Sequence, residues 1–260
     1  MTGNARLQGR RAVVTGGGSG IGSAIARGYA AEGAEVLVAD LDREAATLVA
    51  ARIQEAGGVA HAAAVDVADE TSVEALFRRV DELLGGVDVL VNGAGILRRQ
   101  AFLDVDEESW DRTIRVNSLG PLLCTQQAAR RFIDQGAATR GAGKIVNICS
   151  TSSRQATGDF TAYAASKAAL LSLTQSTAKG LAAHGITVNG IGPGIVDTPL
   201  WRADALTLAD RTLDDYTRRI PLGRLSTPDD LVPTAVFLAA DDSDYMTGQL
   251  LMVDGGMVMM

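Results

Sequence analysis

Two ionisable side chains, Tyr163 and Lys167, stand four positions apart in a segment whose sequence is compatible with a helix. Residues at positions i and i+4 of a helix share one face, about 5–6 Å apart at Cβ. Because a nearby ammonium group favours the phenolate, we expect Lys167 to lower the pKa of Tyr163. Ser150 ends the preceding apolar run, and its hydroxyl can point toward the same site. These residues suggest proton transfer near neutral pH, although the tyrosine–lysine spacing alone is better interpreted as a polar surface.

A glycine-rich loop near the N-terminus makes the chemical interpretation the better one. It follows a short apolar segment, residues 11–15, and precedes a segment with helical periodicity. Glycines let a backbone approach a pyrophosphate, and a helix N-terminus offers free N–H groups and a positive dipole. The spacing is T-G-x-x-x-G-x-G rather than the G-x-G-x-x-G fingerprint, and the alternative is a flexible loop. The loop residues that we assign to a dinucleotide cofactor are Gly16, Ser19, Gly20, Ile21 and Gly22.

An acidic residue, Asp40, ends the second apolar segment. A carboxylate at this position can accept hydrogen bonds from the adenosine ribose hydroxyls and would repel a 2′-phosphate. The glycine loop contains no arginine, and Ser19 occupies the position before Gly20. We therefore predict NAD rather than NADP as the cofactor, with Arg43 close enough in sequence to leave NADP as the alternative. Asp40 itself has the alternative of being an ordinary turn residue.

Strand-like and helix-like segments alternate strictly, which predicts an α/β fold with a doubly wound parallel sheet. The expected strands are residues 11–15, 35–39, 59–65, 87–91, 144–149, 185–191 and 249–253. Ligands of such sheets bind at the carboxyl ends of the strands. Polar or small residues follow several of these strands and can contact an adenine, a flat ring or a cofactor amide. These further cofactor candidates are Leu41, Asp66, Val67, Asn92, Ala94, Gly95, Pro193, Gly194, Val196 and Thr198.

Two segments of the chain are expected to depart from regular structure. Residues 107–135 read as one long helix, but Asn117 is a poor helix former and is followed by Gly120 and Pro121, so we expect a local break. Residues at about 195–225 mix aromatic and charged side chains, and we interpret them as a mobile substrate lid with a helical piece. Residues 228–240 are expected to be helical, with Thr227 as the N-cap and Pro228 at the first position.

Composition limits the classes of function. The chain has 260 residues, 47% of them hydrophobic, which suits one α/β domain. Its net charge of −7 argues against nucleic acid or an anionic membrane surface as a partner. We see no secretory signal and no apolar stretch long enough to span a membrane, so we expect a cytoplasmic location. Cys124 and Cys149 are expected to be buried hydrophobes, and the isolated histidines predict no metal site.

Taken together, several motifs resemble the short-chain dehydrogenase/reductase family over nearly the whole chain. The motifs are Thr15-Gly-x-x-x-Gly-Ile-Gly22, Asn92-x-Ala-Gly95, Asn117, Ser150, Tyr163-x-x-x-Lys167, Pro193-Gly194 and Thr247-Gly…Val253-Asp-Gly-Gly. The resemblance implies a single Rossmann-type domain over residues 1–260, with a seven-stranded sheet, helices on both faces, a nicotinamide cofactor and a homotetramer. One departure is Gly93, where the family often has a second asparagine.

The resemblance also implies a role for each member of a catalytic set. Tyr163 is the general acid or base, and Lys167 lowers its pKa and bonds the nicotinamide ribose. Ser150 polarises the substrate oxygen, and Asn117 holds a water that links Lys167 to solvent. Hydride transfer from an alcohol carbon leaves negative charge developing on the oxygen, and two pre-placed donors would stabilise that charge.

The substrate is the least determined part of the prediction. The stretch from Tyr163 to Trp201 is similar to NAD-dependent polyol and sugar-alcohol dehydrogenases of the family. A polyol, a sugar or a small hydroxy compound would suit a polar loop before Tyr163, although these loop residues are equally well interpreted as solvated. The candidate substrate residues are Ser152, Arg154, Gln155 and Trp201.

Three alternatives remain open at this stage. A 3-oxoacyl-thioester reductase usually prefers NADP, so Asp40 and the acidic composition count against it. A hydroxy-acid dehydrogenase would hold a carboxylate with Arg98, Arg99 and Arg154. A dinucleotide-binding sensor or scaffold without turnover is disfavoured by the intact Ser150, Tyr163 and Lys167.

Overall fold

Seven parallel strands form a single sheet in the computed structural model, which describes residues 5–137, 143–156, 158–205 and 213–259. The strands are β1 Arg11–Thr15, β2 Glu35–Asp40, β3 Val59–Ala64, β4 Val89–Asn92, β5 Lys144–Ile148, β6 Thr187–Pro193 and β7 Leu250–Val253. Their spatial order is β3-β2-β1-β4-β5-β6-β7, and every neighbouring pair is parallel. The predicted fold class is confirmed, and each strand end lies within two residues of its predicted position.

The direction of strand addition reverses at β1. The chain proceeds from β1 to β2 and β3 on one side, and β4 then pairs with β1 on the other side. Helices that follow β1 and β4 therefore cover opposite faces, which leaves a crevice at the carboxyl ends of these two strands. Thr15 and Asn92, the last residues of β1 and β4, are partners in the register at this crevice.

Helices cover both faces of the sheet, as predicted. The helices are α1 Gly20–Ala31, α2 Arg43–Glu55, α3 Glu70–Leu84, α4 Glu107–Ile114, α5 Gly120–Asp134, α6 Thr161–Leu181, α7 Pro199–Ala205, α8 Leu213–Thr217 and α9 Val232–Ala239. Successive strand residues point to opposite faces, so Val13 and Val14 of β1 belong to different cores. Val14 packs in a core with Tyr29 of α1, while Val13 packs in a core with Phe77 of α3 and Phe132 of α5.

The break expected near Asn117 is present as one π-helical turn, Arg115–Leu119, between α4 and α5. Such single turns disturb the regular ladder and often occur at functional sites. Asp106 caps the start of α4 by accepting a hydrogen bond from Ser109 N at 2.7 Å. The predicted helix over residues 107–135 is therefore present as α4, one π-helical turn and α5 in direct succession, and its hydrogen-bonding pattern changes around Asn117.

The expected helix over 228–240 is present with Thr227 at its N-cap, and its first turn, Pro228–Leu231, is a 3₁₀ turn. Asp230 accepts a hydrogen bond from Thr227 N at 2.7 Å. Of the expected lid at about 195–225, the structure describes the short helices α7 and α8, and residues 206–212 lie outside the described part. Asp197 N donates to Ser226 O at 2.8 Å, which holds the two ends of this segment together.

No helix in the described ranges combines the length and the hydrophobicity that a bilayer crossing requires. The two free cysteines are buried, as predicted, and burial raises the pKa of both thiols. His61 lies 3.0 Å from a Glu35 carboxylate oxygen. Within the described residues, no group of three or more metal-ligating side chains comes together.

Candidate active site

A cleft of about 670 Å³ opens at the carboxyl ends of the strands and gathers most of the predicted site residues. The glycine loop, the end of β2, the segments after β3 and β4, the start of α6 and the segment after β6 all line it. The predicted residues in its walls are Gly16, Ser19, Gly20, Ile21, Gly22, Asp40, Leu41, Asp66, Val67, Ala94, Gly95, Ser150, Tyr163, Lys167, Pro193, Gly194, Val196, Thr198 and Trp201.

The glycine loop is shaped for a close backbone approach. Gly16 has a φ of +66°, and a Cβ there would lie 2.6 Å from Ala94 N, so only glycine fits between the two loops. A Cβ on Gly22 would collide with the Gly16 carbonyl oxygen. Helix α1 begins at Gly20 without a side-chain cap from Ser19 and without an acidic residue in its first turn. Its first N–H groups are therefore available to a phosphate, and the loop fits a dinucleotide pyrophosphate.

Asp40 lies at the edge of the cleft and is held by backbone donors. Its Oδ2 accepts from Gly18 N at 2.8 Å, and its Oδ1 accepts from Asp42 N at 3.1 Å. An ionised carboxylate has about four acceptor positions, so these two contacts leave capacity for ribose hydroxyls. The half-buried, fixed carboxylate thus fits the adenosine end of a dinucleotide.

Tyr163 and Lys167 occupy the first two turns of α6 and face the cleft together. The Lys167 Nζ lies 5.7 Å from the centroid of the Tyr163 ring. It donates a hydrogen bond to Ile148 O at 2.7 Å, at the end of β5. Lys167 is 5% exposed, and this burial lowers its pKa to about 8. The Ser150 hydroxyl is close enough to the Tyr163 phenol to act against the rise in its pKa, so both hydroxyls stand beside a buried amine.

The predicted direction of the Tyr163 pKa shift is wrong. The pKa is raised, chiefly because the surrounding protein excludes water from the phenol, and the hydrogen bond with Ser150 only partly offsets this. The lysine does not counter the desolvation, because its amine is directed at the Ile148 carbonyl rather than at the phenol oxygen. The side chain pair is nevertheless brought together as the four-residue spacing predicted.

Asn117 is completely buried and does not line the cleft. Its Oδ1 accepts from Ile96 N at 2.8 Å, and its Nδ2 donates to Ile96 O at 2.9 Å and Ser166 Oγ at 3.0 Å. Ser166 Oγ in turn donates to Tyr163 O at 2.7 Å. The Asn117 side chain therefore connects the loop after β4 to the helix that carries Tyr163, and its link to water stays a prediction.

The Asn92 side chain does not line the cleft, and the predicted contact of Asn92 with the cofactor stays a prediction. Asn92 is 2% exposed, and its Nδ2 donates to Thr125 Oγ1 at 3.1 Å and Asn147 Oδ1 at 2.8 Å. The side chain points between β5 and α5, away from the cleft that Ala94 and Gly95 line. Thr198 does line the cleft, where its Oγ1 accepts from Trp201 N at 3.2 Å and begins α7.

Three of the four predicted substrate residues lie outside the cleft walls. Ser152 is in the 3₁₀ turn after Ser150 and donates its backbone N–H to Ser150 Oγ at 3.0 Å. Arg154 and Gln155 follow this turn and are exposed to solvent. Trp201 does line the cleft, and its ring packs edge-on against Tyr216 at 5.3 Å between centroids.

Residues that the sequence interpretation missed supply the remaining walls. Ile96 and Leu97 follow Gly95, and Leu200 precedes Trp201, so apolar side chains surround the end of the cleft near Tyr163. Ile96 and Leu97 could have been predicted, because they form an apolar pair directly after Gly95. At the opposite end, beside Asp66, the exposed Arg112 and Arg115 also line the cleft, and Arg115 donates to Ala68 O at 3.0 Å.

Several known proteins resemble this chain in sequence and in fold. A family model described as enoyl-(acyl carrier protein) reductase matches residues 16–258. A galactitol 2-dehydrogenase of Agrobacterium fabrum is 40% identical over 259 residues, covering 96% of this chain and 98% of that protein. A 3-oxoacyl-[acyl-carrier-protein] reductase of Thermotoga maritima is 35% identical over 253 residues, covering 97% and 99%. The crystal structure of a gluconate 5-dehydrogenase from Burkholderia cenocepacia, in complex with NADP and tartrate, superposes with a TM-score of 0.89 at 39% identity, covering 98% and 97% of the two chains.

Proposed function

Because this chain belongs to the short-chain dehydrogenase/reductase family and is an oxidoreductase, we propose that it interconverts a secondary alcohol and a ketone with NAD. The observation that carries the proposal is the placement of Tyr163 and the buried Lys167, whose amine lies 5.7 Å from the Tyr163 ring centroid, in the same cleft as Ser150 and the glycine loop. We propose a polyol, a sugar or a small hydroxy compound as the substrate.

The proposed chemistry follows from the positions of these side chains. In the reducing direction, the neutral Tyr163 phenol donates its proton to the carbonyl oxygen of the ketone, while the carbonyl carbon gains a hydride. A nicotinamide nucleotide would supply that hydride when bound. Ser150 donates a hydrogen bond to the substrate oxygen, and Lys167 provides positive charge next to the phenolate that remains. In the oxidising direction this phenolate takes the hydroxyl proton of the alcohol, and the hydride returns to the oxidised nucleotide.

NAD is proposed as the cofactor because the Asp40 carboxylate is fixed at the adenosine end of the cleft. A 2′-phosphate placed there would face this negative charge. The gluconate 5-dehydrogenase of similar structure was crystallised with NADP, and a similar L-rhamnose 1-dehydrogenase carries NAD(P)(+) in its name. We expect Asp40 to decide the preference in this chain.

The polyol or sugar substrate is supported by the names of the relatives rather than by a polar loop. Galactitol and sorbitol, both polyols, are the substrates named for two similar proteins. The hydroxy-acid alternative has its own support, because gluconate, named for a protein of similar structure, carries a carboxylate. The arginines proposed to bind such a carboxylate, Arg98, Arg99 and Arg154, do not line the cleft.

A 3-oxoacyl-thioester reductase is the second candidate, and the cleft wall is the observation that favours it. Ile96, Leu97, Leu200 and Trp201 make the end near Tyr163 apolar, which suits an acyl chain. One of the similar proteins carries this activity in its name. Asp40 and the net charge of −7 count against NADP and against an acidic carrier protein.

The discriminating experiment is a substrate panel with the purified protein. Polyols, sugars, hydroxy acids, secondary alcohols and a 3-oxoacyl thioester are each assayed by the absorbance of the reduced nicotinamide. We expect turnover of polyols or sugars with NAD. Turnover of the thioester alone would favour the second candidate. NADH binding without any turnover would favour a sensor or scaffold and would contradict the proposal.

We also propose a homotetramer in the cytoplasm. Strand β7 forms one edge of the sheet and is only half buried, and Tyr245 and Leu222 are exposed apolar side chains. Further chains of this protein would cover such surfaces. The two buried free thiols are compatible with a reducing compartment.

A further inference from the structure

A partly buried ion pair joins two segments beside the Tyr163 end of the cleft. The Arg99 guanidinium donates to Asp159 Oδ2 through Nε at 3.2 Å and through NH2 at 2.8 Å. The Arg99 side chain is 5% exposed and that of Asp159 is 37% exposed. Next to this pair, Gln100 N donates to Asp159 O at 2.9 Å. The two segments are thus connected by side-chain and backbone contacts at the same place.

Each of the two segments leads directly to the candidate site. The loop after β4 supplies Ile96 and Leu97 to the cleft wall three residues or fewer before Arg99. Asp159 lies in the 3₁₀ turn Gly158–Phe160, which runs without a break into α6. Tyr163 is in the first turn of that helix, and its ring is 6.5 Å from the Phe160 ring.

Helix α6 needs such support at its start. Phe160 occupies the N-cap position and makes no side-chain capping bond. Without a cap, the first N–H groups of a helix are satisfied only by water or by neighbouring groups, and the first turn frays more easily. Tyr163 lies in this first turn, so its hydroxyl position depends on what holds the preceding turn in place.

The same loop is attached to α6 at a second point. Asn117 bonds both backbone groups of Ile96 and also contacts Ser166, one turn after Tyr163. The loop after β4 is therefore clamped to α6 before and after the tyrosine. Asn117 belongs to the predicted catalytic set, whereas Arg99 and Asp159 do not.

We propose that Arg99 and Asp159 are positioning residues that hold the start of α6, so that the Tyr163 hydroxyl stays beside Ser150. The inference rests on the proposed function, because it concerns the proton-carrying group of that reaction. An ion pair with one buried partner contributes little net stability but requires a defined geometry, so its loss is expected to change the position of the turn more than the stability of the fold. Arg99 is not one of the residues that line the cleft, so we expect it to act on Tyr163 through the turn rather than on the substrate.

The first test needs no turnover. The phenol of Tyr163 is titrated by ultraviolet absorbance, as the difference between each protein and the same protein carrying Tyr163→Phe. We compare wild type with Asp159→Asn and with Arg99→Met. A loosened first turn admits water to the phenol, so we expect the titration midpoint to fall in both variants.

The two variants separate positioning from simple charge effects. Loss of the Asp159 charge alone would lower the tyrosine midpoint, whereas loss of the Arg99 charge alone would raise it. A fall in both variants therefore identifies a loss of positioning, and a midpoint that does not fall in Arg99→Met overturns the inference. The matched control is Asp81→Asn, which breaks the two-bond contact of Arg131 with Asp81 between α5 and α3. We expect no change in this control.

The second test uses the substrate that the panel identifies. We expect Asp159→Asn and Arg99→Met to lower kcat roughly ten- to hundred-fold, with KM for NAD unchanged, because a small misplacement of a reacting group is costly. The double variant should be no worse than the poorer single variant, since both remove one contact. Additive losses, or an unchanged kcat, would overturn the inference. A wild type that turns over nothing counts against the proposed function but leaves the phenol titration valid.

Discussion

At the scale of single residues, the proposed role of Tyr163 and its environment have opposite consequences for its pKa. In the proposed reaction the phenol gives up a proton, yet burial of the phenol raises its pKa. The buried amine of Lys167 is the nearest described cation, and in this structure it is bonded to the Ile148 carbonyl. We infer that the amine assists Tyr163 once the substrate and the nucleotide complete the site.

Burial of Lys167 predicts a pH-dependent stability that can be measured without a substrate. Its pKa falls from 10.5 to about 8 in the folded chain. Between these values the unfolded chain binds more protons at this residue, so the free energy of unfolding rises with pH across the window. Relative to Lys167→Met, wild type should gain about 2–3 kcal/mol in unfolding free energy between about pH 7 and about pH 10.

Urea unfolding of both proteins across this range measures the difference. The substitution retains the apolar stem of the side chain and removes the titrating amine, so other groups cancel in the comparison. Parallel curves for wild type and Lys167→Met at all pH values would show that the amine is not desolvated.

Asp40 provides the residue-level test of cofactor preference. Removal of the carboxylate in Asp40→Ala should lower the ratio of kcat/KM for NAD to that for NADP, because the repulsion of a 2′-phosphate disappears. Asp40→Asn is the matched variant, since it removes the charge and keeps an oxygen for the Gly18 N–H. A ratio unchanged in both variants would remove Asp40 from this role.

Spacing in the sequence was sufficient to place most site residues but not to predict their environment. Ser150, Tyr163 and Lys167 were identified because their types and positions constrain where they lie in a parallel sheet. The direction of the Tyr163 pKa shift was not predictable. The spacing of Tyr163 and Lys167 determines neither how far the phenol is desolvated nor where the lysine amine points. The orientation of the Asn92 side chain was not predictable for a similar reason, since the sequence does not determine to which side the side chain at a strand end turns.

At the scale of secondary-structure elements, the glycine loop and the start of α1 form the nucleotide site. We expect Gly22→Ala to lower NADH affinity strongly and to destabilise the fold by about 1–3 kcal/mol, because the new methyl group collides with the Gly16 carbonyl. Calorimetric titration with NADH and thermal unfolding measure the two effects.

Gly180→Ala is the control for this substitution. Gly180 lies inside α6, and a Cβ there meets no atom within 4 Å. Alanine should stabilise the helix by up to about 1 kcal/mol and leave NADH affinity unchanged. A Gly22→Ala protein that binds NADH as wild type does would show that the nucleotide lies elsewhere.

Element boundaries were predicted well where hydrophobic runs are bounded by polar or glycine residues, as in all seven strands. They were predicted less well where local hydrogen bonds compete with a regular helix. Asp230 converts the first residues of the 228–240 segment into a 3₁₀ turn by bonding back to Thr227. Asn117 produces a π-helical turn through contacts with Ile96, which is distant in sequence and therefore invisible to periodicity.

At the scale of the whole molecule, the cleft is assembled from segments that the chain brings together from both halves. Of the apolar residues in its wall near Tyr163, Trp201 was predicted from the sequence, whereas Ile96 and Leu97, which follow β4, and Leu200 of α7 were not. The polar loop before Tyr163 was the more obvious choice in the sequence, but it turns outward after Ser150.

The exposed sheet edge and apolar side chains give a prediction for the intact protein. We expect light scattering after size exclusion to report four times the chain mass of 27.0 kDa. Tyr245→Asp and Leu222→Asp place charges on surfaces that a tetramer would bury, and at least one of them should lower the mass. A monomeric wild type at micromolar concentration would contradict the proposed assembly.

The most direct test of the account compares Tyr163→Phe with wild type, using the substrate and NAD identified by the panel. The substitution removes the phenolic oxygen and keeps the ring, so NADH affinity should stay near that of wild type. We predict that turnover is lost while this affinity is retained. Substantial residual turnover by a correctly folded Tyr163→Phe protein would show that another group carries the proton.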